Sequence, residues 1–276
     1  MNFSEIHNEI QQSTNHAKQH GGNNACSGIP RDKNSINDNN DNINKGVRKK
    51  YKGKPKWYNK RQGKGRCSKA QKIAYREIFK EISISKKWGE VIDFKEEFKN
   101  PNENTCILDI GFGMGDSLIN ISKLNKNKNV LGCEIHRPGL ANACIKIREF
   151  NLTNTKLYGG DAFKLLTRHI AKDAKVFEQI HIFFPDPWKQ DVDRRIVRKE
   201  MIEVIKRHMI PGGDLYIATD IADYVLHIET TMKSFIDNNS FTGGRCERVV
   251  FRPITKYEQL AMDEGRDVVD FHFRRV

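Results

Sequence analysis

No apolar run in this chain of 276 residues approaches the ~20 residues that a membrane-spanning helix needs, so no such helix is expected in it. No two of the six cysteines (Cys26, Cys67, Cys106, Cys133, Cys144, Cys246) form a CxxC pair, so nothing points to a zinc site. Several of them sit in apolar strand or helix patterns, where a reduced, buried thiol in an intracellular, reducing compartment is expected. The opening residues Met1 to His7 are polar and charged, so no secretory signal is expected. Acidic residues are wholly absent from Lys45 to Arg66. What the chain does have is charge of the opposite sign: a net +13 and a pI near 9.4. That excess is clustered, and it favours a polyanionic partner, with nucleic acid the first candidate.

Residues 1–44 are rich in Asn, Ser, Gln and Gly and bury too little apolar surface to offset ordering entropy; disorder is expected there. Residues 45–66 interleave eleven Lys and Arg with Tyr51, Trp57 and Tyr58. Such an arm suits phosphates and unstacked bases, and reads equally as a generic basic tail or a targeting segment. From Ser68, a candidate cap, Ala74, Ile78 and Ile82 recur four apart and predict a helix to about Lys87. Strands then alternate with helices. Strands are predicted at 106–108, 130–134, 155–158, 180–184 and 214–219. Helices are predicted after the glycine run, after Pro138, at 163–170, at 193–208 and at 221–236. Two final strands at 248–251 and 268–273 read as an antiparallel hairpin. The alternation implies an α/β fold, a parallel sheet with helices on both faces.

Two short runs carry the chemistry. Asp109-Ile110-Gly111-Phe112-Gly113-Met114-Gly115 follows a strand at GxGxG spacing, and Gly111 and Gly113 let backbone approach a nucleoside-bearing ligand. Glu134, at the end of the next strand, can take both ribose hydroxyls of an adenosine. Asp109 can face a charged amino group, or simply cap the turn. Asp161, in Gly160-Asp161-Ala162, can accept from an adenine amine and looks the same as an isolated helix N-cap. The second run is Phe183-Phe184-Pro185-Asp186-Pro187-Trp188. It places a carboxylate between two prolines where doubly wound sheets bind ligands, beside a stacking indole. Asp186 can accept from guanine N1–H and its exocyclic amine.

Together with Gly132 to Gly139, Ala218-Thr219-Asp220 and Thr255-Lys256-Tyr257-Glu258-Gln259, these stretches resemble the bacterial-type tRNA (guanine-N7)-methyltransferases. The resemblance runs in one order over about residues 61 to 276. It implies a Rossmann-like class I methyltransferase fold: seven strands, mostly parallel, with a C-terminal antiparallel strand, and a catalytic domain over 67–276. It implies S-adenosylmethionine as cofactor, held by Asp109, Gly111, Gly113, Glu134, His136, Asp161 and Ala162. It implies Asp186 as the active-site carboxylate, and tRNA contacts by Asp220, Thr255 and Glu258. The product it implies is N7-methylguanosine at position 46 of the tRNA variable loop, made without metal by a cytoplasmic monomer or homodimer that needs no partner subunit. The N-terminal extension leaves an organellar site open.

The sequence departs from the family after Trp188, where its loop is two residues shorter and carries Asp191 and Asp193. Gln190 stands where a substrate-contacting Lys is frequent, and Lys189 can replace it by a shift. Leu260-Ala261 replaces an Arg-Gly pair, and Arg266 stands where His is usual. Competing readings are methylation of another RNA guanine, a non-catalytic tRNA-binding protein of the same fold, and an NAD(P)-dependent oxidoreductase. The last needs different glycine spacing.

Overall fold

The computed structural model describes residues 67–100 and 105–276. The Asn-rich extension and the basic arm lie outside the described residues. Ser68 begins α1 (Lys69–Glu77) through a capping box: its hydroxyl accepts from Gln71 N–H at 3.2 Å while the Gln71 side chain accepts from Ser68 N–H at 3.0 Å. α1 leads into α2 (Phe79–Ile82), so the helical stretch ends five residues before the expected Lys87. α3 (Phe94–Phe98) follows, capped by Asp93.

The sheet is built from β1 (Cys106–Ile110), β2 (Asn129–Glu134), β3 (Thr155–Gly159), β4 (Phe177–Phe183), β5 (Met209–Thr219), β6 (Phe241–Cys246) and β7 (Val269–Arg275), in the order β3-β2-β1-β4-β5-β7-β6. The first five pair in parallel; β7 runs antiparallel to both β5 and β6. The connecting helices are α4 (Asp116–Leu124), α5 (Arg137–Glu149), α6 (Ala162–Lys164) with a π turn at Leu165–His169, α7 (Lys199–His208), α8 (Ala222–Asp237) and α9 (Lys256–Asp263). Among the described residues no helix is long and apolar enough to cross a membrane.

Strand alternation divides the core in two. Cys106, Leu108, Ile110, Leu131, Ile180, Ile182, Leu215, Ile217, Phe271 and Phe273 join one cluster with α7 and α8. Ile107, Val130 and Leu157 join the other with α1, α4 and α5. Beyond β1 this second face changes character. Asp109, His181, Tyr216 and His272 are consecutive partners across β1, β4, β5 and β7. Over them lies the segment after β6, with the Phe251 ring 5.1 Å from both His181 and Tyr216.

Two predicted elements shift, and two others were not expected. The strand expected at 248–251 is that covering segment, with Val250 94% exposed; a three-residue apolar run cannot tell a strand from a loop that drops one aromatic onto the core. The edge strand is instead glycine-rich β6, where a Cβ on Gly243 (φ 115) would meet His272 O at 2.1 Å. The helix expected from 193 starts at Lys199; before it Val192–Arg194 form a single 3-10 turn, and Arg195, which follows, leaves the helical region (ψ 138) and is buried. Helix α9, between the last two strands, was not expected.

Candidate active site

The glycine turn leaves β1 with Gly111, Gly113 and Gly115 all in the left-handed region (φ 74, 57 and 88). A Cβ on Gly111 or Gly113 would meet nothing within 4 Å, so both face open space. Helix α5 presses its first turn against this loop: a Cβ on Gly139 would stand 2.1 Å from the Gly113 carbonyl oxygen, and Asn142 Nδ2 donates to Met114 O at 2.7 Å.

Glu134 is 7% exposed and closes the turn from β2. Its Oε2 accepts from Gly113 N–H at 2.9 Å; Oε1 accepts from Ile135 and His136 N–H at 2.6 and 2.8 Å. Burial still pushes its pKa up against these three bonds. His136 is the N-cap residue of α5, with an exposed side chain. Asp161 caps α6, accepting from Lys164 N–H at 2.9 Å, and Ala162 is buried directly after it.

Asp109 is 1% exposed, and its Oδ2 has no hydrogen-bond partner. Burial pushes this carboxyl up to about 7; the nearby Ser117 hydroxyl opposes the rise and the Glu134 charge adds to it. Ser117 Oγ stops short of bonding geometry and is itself unpaired, as is His181 Nδ1 on the next strand. Burial holds His181 neutral, down at about 3.

Because β1 and β4 are neighbours, the Phe183–Trp188 run leaves the sheet beside the glycine turn. Asp186 is exposed, and its carboxylate makes no hydrogen bond or ion pair with another described residue. The backbone on either side of it is unusual: Phe184 (φ 50) and Trp188 (φ 41) are non-glycine residues in the left-handed region. Phe184 N–H donates to Ala218 O at 2.8 Å. Pro187 O accepts from the Nε of buried Arg195 at 2.8 Å, and Arg195 is also ion-paired with Asp223 at the start of α8. Arg194 stacks over Trp188 at 3.5 Å, so one face of that indole is covered.

The four residues expected near tRNA are placed differently from one another. Lys189 is exposed. Asp220, at the end of β5, forms an ion pair with Arg266, which is the residue that departs from the family. Thr255 caps α9, accepting from Glu258 N–H at 3.2 Å. Glu258 is 3% exposed and bonded to two arginines, Arg248 and Arg252; burial works against its charge, yet the guanidiniums hold it below its ordinary range. Sequence reasoning missed Arg195, Arg252 and His181. Only His181 carried a signal, as a polar residue inside the apolar run Ile180-His181-Ile182. Among the described residues no group of three or more His, Cys, Asp or Glu is placed to hold a metal.

The chain is similar in sequence to known proteins. A family model described as "Putative methyltransferase" matches residues 103–271. The tRNA (guanine-N(7)-)-methyltransferase of Hydrogenovibrio crunogenus is 34% identical over 216 residues, 77% of this chain and 88% of that protein. That of Chromobacterium violaceum is 35% identical over 196 residues, 68% and 85% of the two chains. The 16S rRNA methyltransferase KamB, 14% identical, superposes with a TM-score of 0.50 over 70% of this chain and 98% of its own, a likeness of fold. Sequence relationship at this level, spanning both the glycine turn and the Asp186 strand end, places the chain in the tRNA (guanine-N7)-methyltransferase family.

Proposed function

We propose that the protein transfers a methyl group from S-adenosylmethionine to N7 of the guanine at position 46 of the tRNA variable loop. The observation that carries this reading is the pairing, at adjacent strand ends, of an open glycine turn beside an orphaned buried carboxylate with an exposed, backbone-fixed Asp186. S-adenosylmethionine fits the first half. A buried acceptor without a donor suits its ammonium group, and a turn with two empty Cβ positions suits close approach of the cofactor to the backbone. Asp109 would hold the amino end, Glu134 and His136 the ribose side, and Asp161 with Ala162 the adenine. When bound, the cofactor supplies an electrophilic methyl on a sulfonium sulfur, which guanine N7 can take through its in-plane lone pair without a base.

The residues' task is then alignment and charge. Asp186 accepts from guanine N1–H and its exocyclic amine, which orients N7, and its carboxylate opposes the positive charge that the base acquires. Holding two reactants in line can supply ~7–11 kcal/mol of a barrier. The basic arm at 45–66 supplies sequence-independent grip on tRNA phosphates, which compensates for the short loop after Trp188. No metal takes part, the working unit is a monomer or homodimer, and tRNA makes the setting intracellular.

The test is methyl transfer from labelled S-adenosylmethionine to unmodified tRNA, followed by nucleoside analysis. N7-methylguanosine that disappears when the variable-loop guanine is replaced is the expected result. Transfer that survives this replacement would move the target elsewhere in the RNA. Cofactor binding without transfer to any tRNA would favour the non-catalytic alternative.

A further inference from the structure

Arg195 and Arg252 head the large, fully buried side chains of the described residues, and both end on the Phe183–Trp188 run. Arg195 holds its far side, at Pro187. Arg252, from the segment that follows β6, reaches the near side. Its Nη2 and Nε donate to the two Asp270 oxygens at 2.7 and 3.3 Å, and its Nη1 donates to Glu258 at 2.5 Å. Arg248 braces the cluster, donating to Glu258 at 2.7 Å and to the Arg252 carbonyl at 2.7 Å. The guanidinium carbon lies 5.1 Å from the Phe184 ring centre and 5.6 Å from that of Phe183.

We propose that Arg252 is a positioning residue for methyl transfer: it fixes Phe184, and through it the direction in which Asp186 leaves the sheet. The proposal rests on the tRNA guanine reading above. A bulky residue at φ 50 is unfavourable and persists only where its surroundings over-determine it. Two contacts do so here. Phe184 N–H is held by Ala218 O, and its ring lies under the guanidinium. Both trace to one rung of the sheet, because Asp270, which anchors Arg252, is the β7 partner of Ala218. A guanidinium suits the task better than an apolar side chain of the same size, since its planar fork is locked by two carboxylates while its face stays available to a ring. Glu258 and Thr255 then serve the same end from within: Thr255 starts α9, and α9 presents Glu258 to Arg252.

The experiment is a double-mutant cycle on the full chain with Arg252→Lys, Asp186→Ala and both. Lysine keeps a charge for Asp270 and Glu258 but has no planar face. Turnover, tRNA KM, cofactor affinity, melting temperature and backbone hydrogen exchange are measured for each. Misplacing a reacting group by about 1 Å can cost on the order of 10²-fold, so Arg252→Lys should lower kcat by roughly that factor while tRNA KM and cofactor affinity stay within about twofold. Exchange should quicken at Phe184, Asp186 and Trp188 and not in the glycine turn. In the Asp186→Ala background Arg252→Lys should add nothing further to the loss of kcat. A loss that multiplies onto that of Asp186→Ala, or unchanged turnover with unchanged exchange, would overturn the proposal. Should Arg252→Lys not fold, the same cycle is run with Glu258→Gln, and the same outcomes decide it. A wild-type protein that methylates no tRNA would refute the functional reading alone, because exchange at 184–188 still decides the positioning.

Discussion

Gly139→Ala is the sharpest test of how the proposed cofactor crevice is built. Gly139 lies in the first turn of α5 with an ordinary backbone, so alanine there brings no torsional penalty. The penalty is collision: its Cβ would stand 2.1 Å from the Gly113 carbonyl oxygen, about 1 Å or more inside a normal contact, and the obstacle is backbone that cannot rotate away. One of the two partners must retreat. α5 is anchored by Leu140, Ala143, Cys144 and Ile147 in the core, whereas Gly111 and Met114 of the turn are exposed. The turn should therefore move. Overpacking by one methyl costs ~1–3 kcal/mol, which corresponds to roughly 5- to 150-fold in an equilibrium constant. Calorimetric titration with S-adenosylmethionine should show affinity reduced within that range, and thermal melting should show only a few degrees lost. Undiminished affinity with a large fall in melting temperature would mean that the helix yields and the turn does not, which would refute the reasoning.

Three further outcomes are expected. Because burial sets the Asp109 carboxyl at about 7 and the cofactor's ammonium needs it ionised, affinity should fall up to about tenfold per pH unit below 7 and level off above it. Binding at low pH should release a proton, and Asp109→Asn should abolish both effects; buffer-dependent calorimetry checks this. Asp186→Ala should keep cofactor binding and lose kcat by roughly 10²–10³-fold, as removal of one preorganised electrostatic group does elsewhere; steady-state kinetics on tRNA read it, and full activity would remove Asp186 from the mechanism. Deleting residues 45–66 should weaken tRNA binding and make the slope of log K against log salt shallower by about 0.7–0.9 per lost phosphate contact, leaving cofactor affinity intact; a filter-binding salt series decides it.

What the sequence could disclose depended on how local each determinant is. The glycine turn, Glu134 and Asp161 each lie at a strand end or in the few residues after it, on neighbouring strands β1, β2 and β3, so their spacing was readable from local sequence. The sheet was legible for the same reason, its parallel strands being short apolar runs between turn signals. Glu258 shows the opposite case. A motif places it near the site, but its fate is set by Arg248 and Arg252, whose approach depends on a loop that no periodicity marks. Arg195 fell within the stretch expected to begin a helix; only the fold shows that its partners are Pro187 and Asp223. Edge strand β6 escaped notice because glycine there answers a close backbone approach, a demand made by β7 from outside the segment.

The Arg252 cluster also has a bearing on the order of synthesis. Every residue of the glycine turn, Glu134 and Asp161 precede residue 162 in the chain, whereas the arginine brace on Phe184 comes last: Arg252, its partner Glu258 and, in the final strand of the sheet, Asp270. A chain emerging from the ribosome completes the residues of the proposed cofactor crevice well before it can lock the strand end that carries Asp186. Competence to bind the methyl donor should thus appear earlier during translation than competence to use it, with the antiparallel addition of β7 as the event that separates the two.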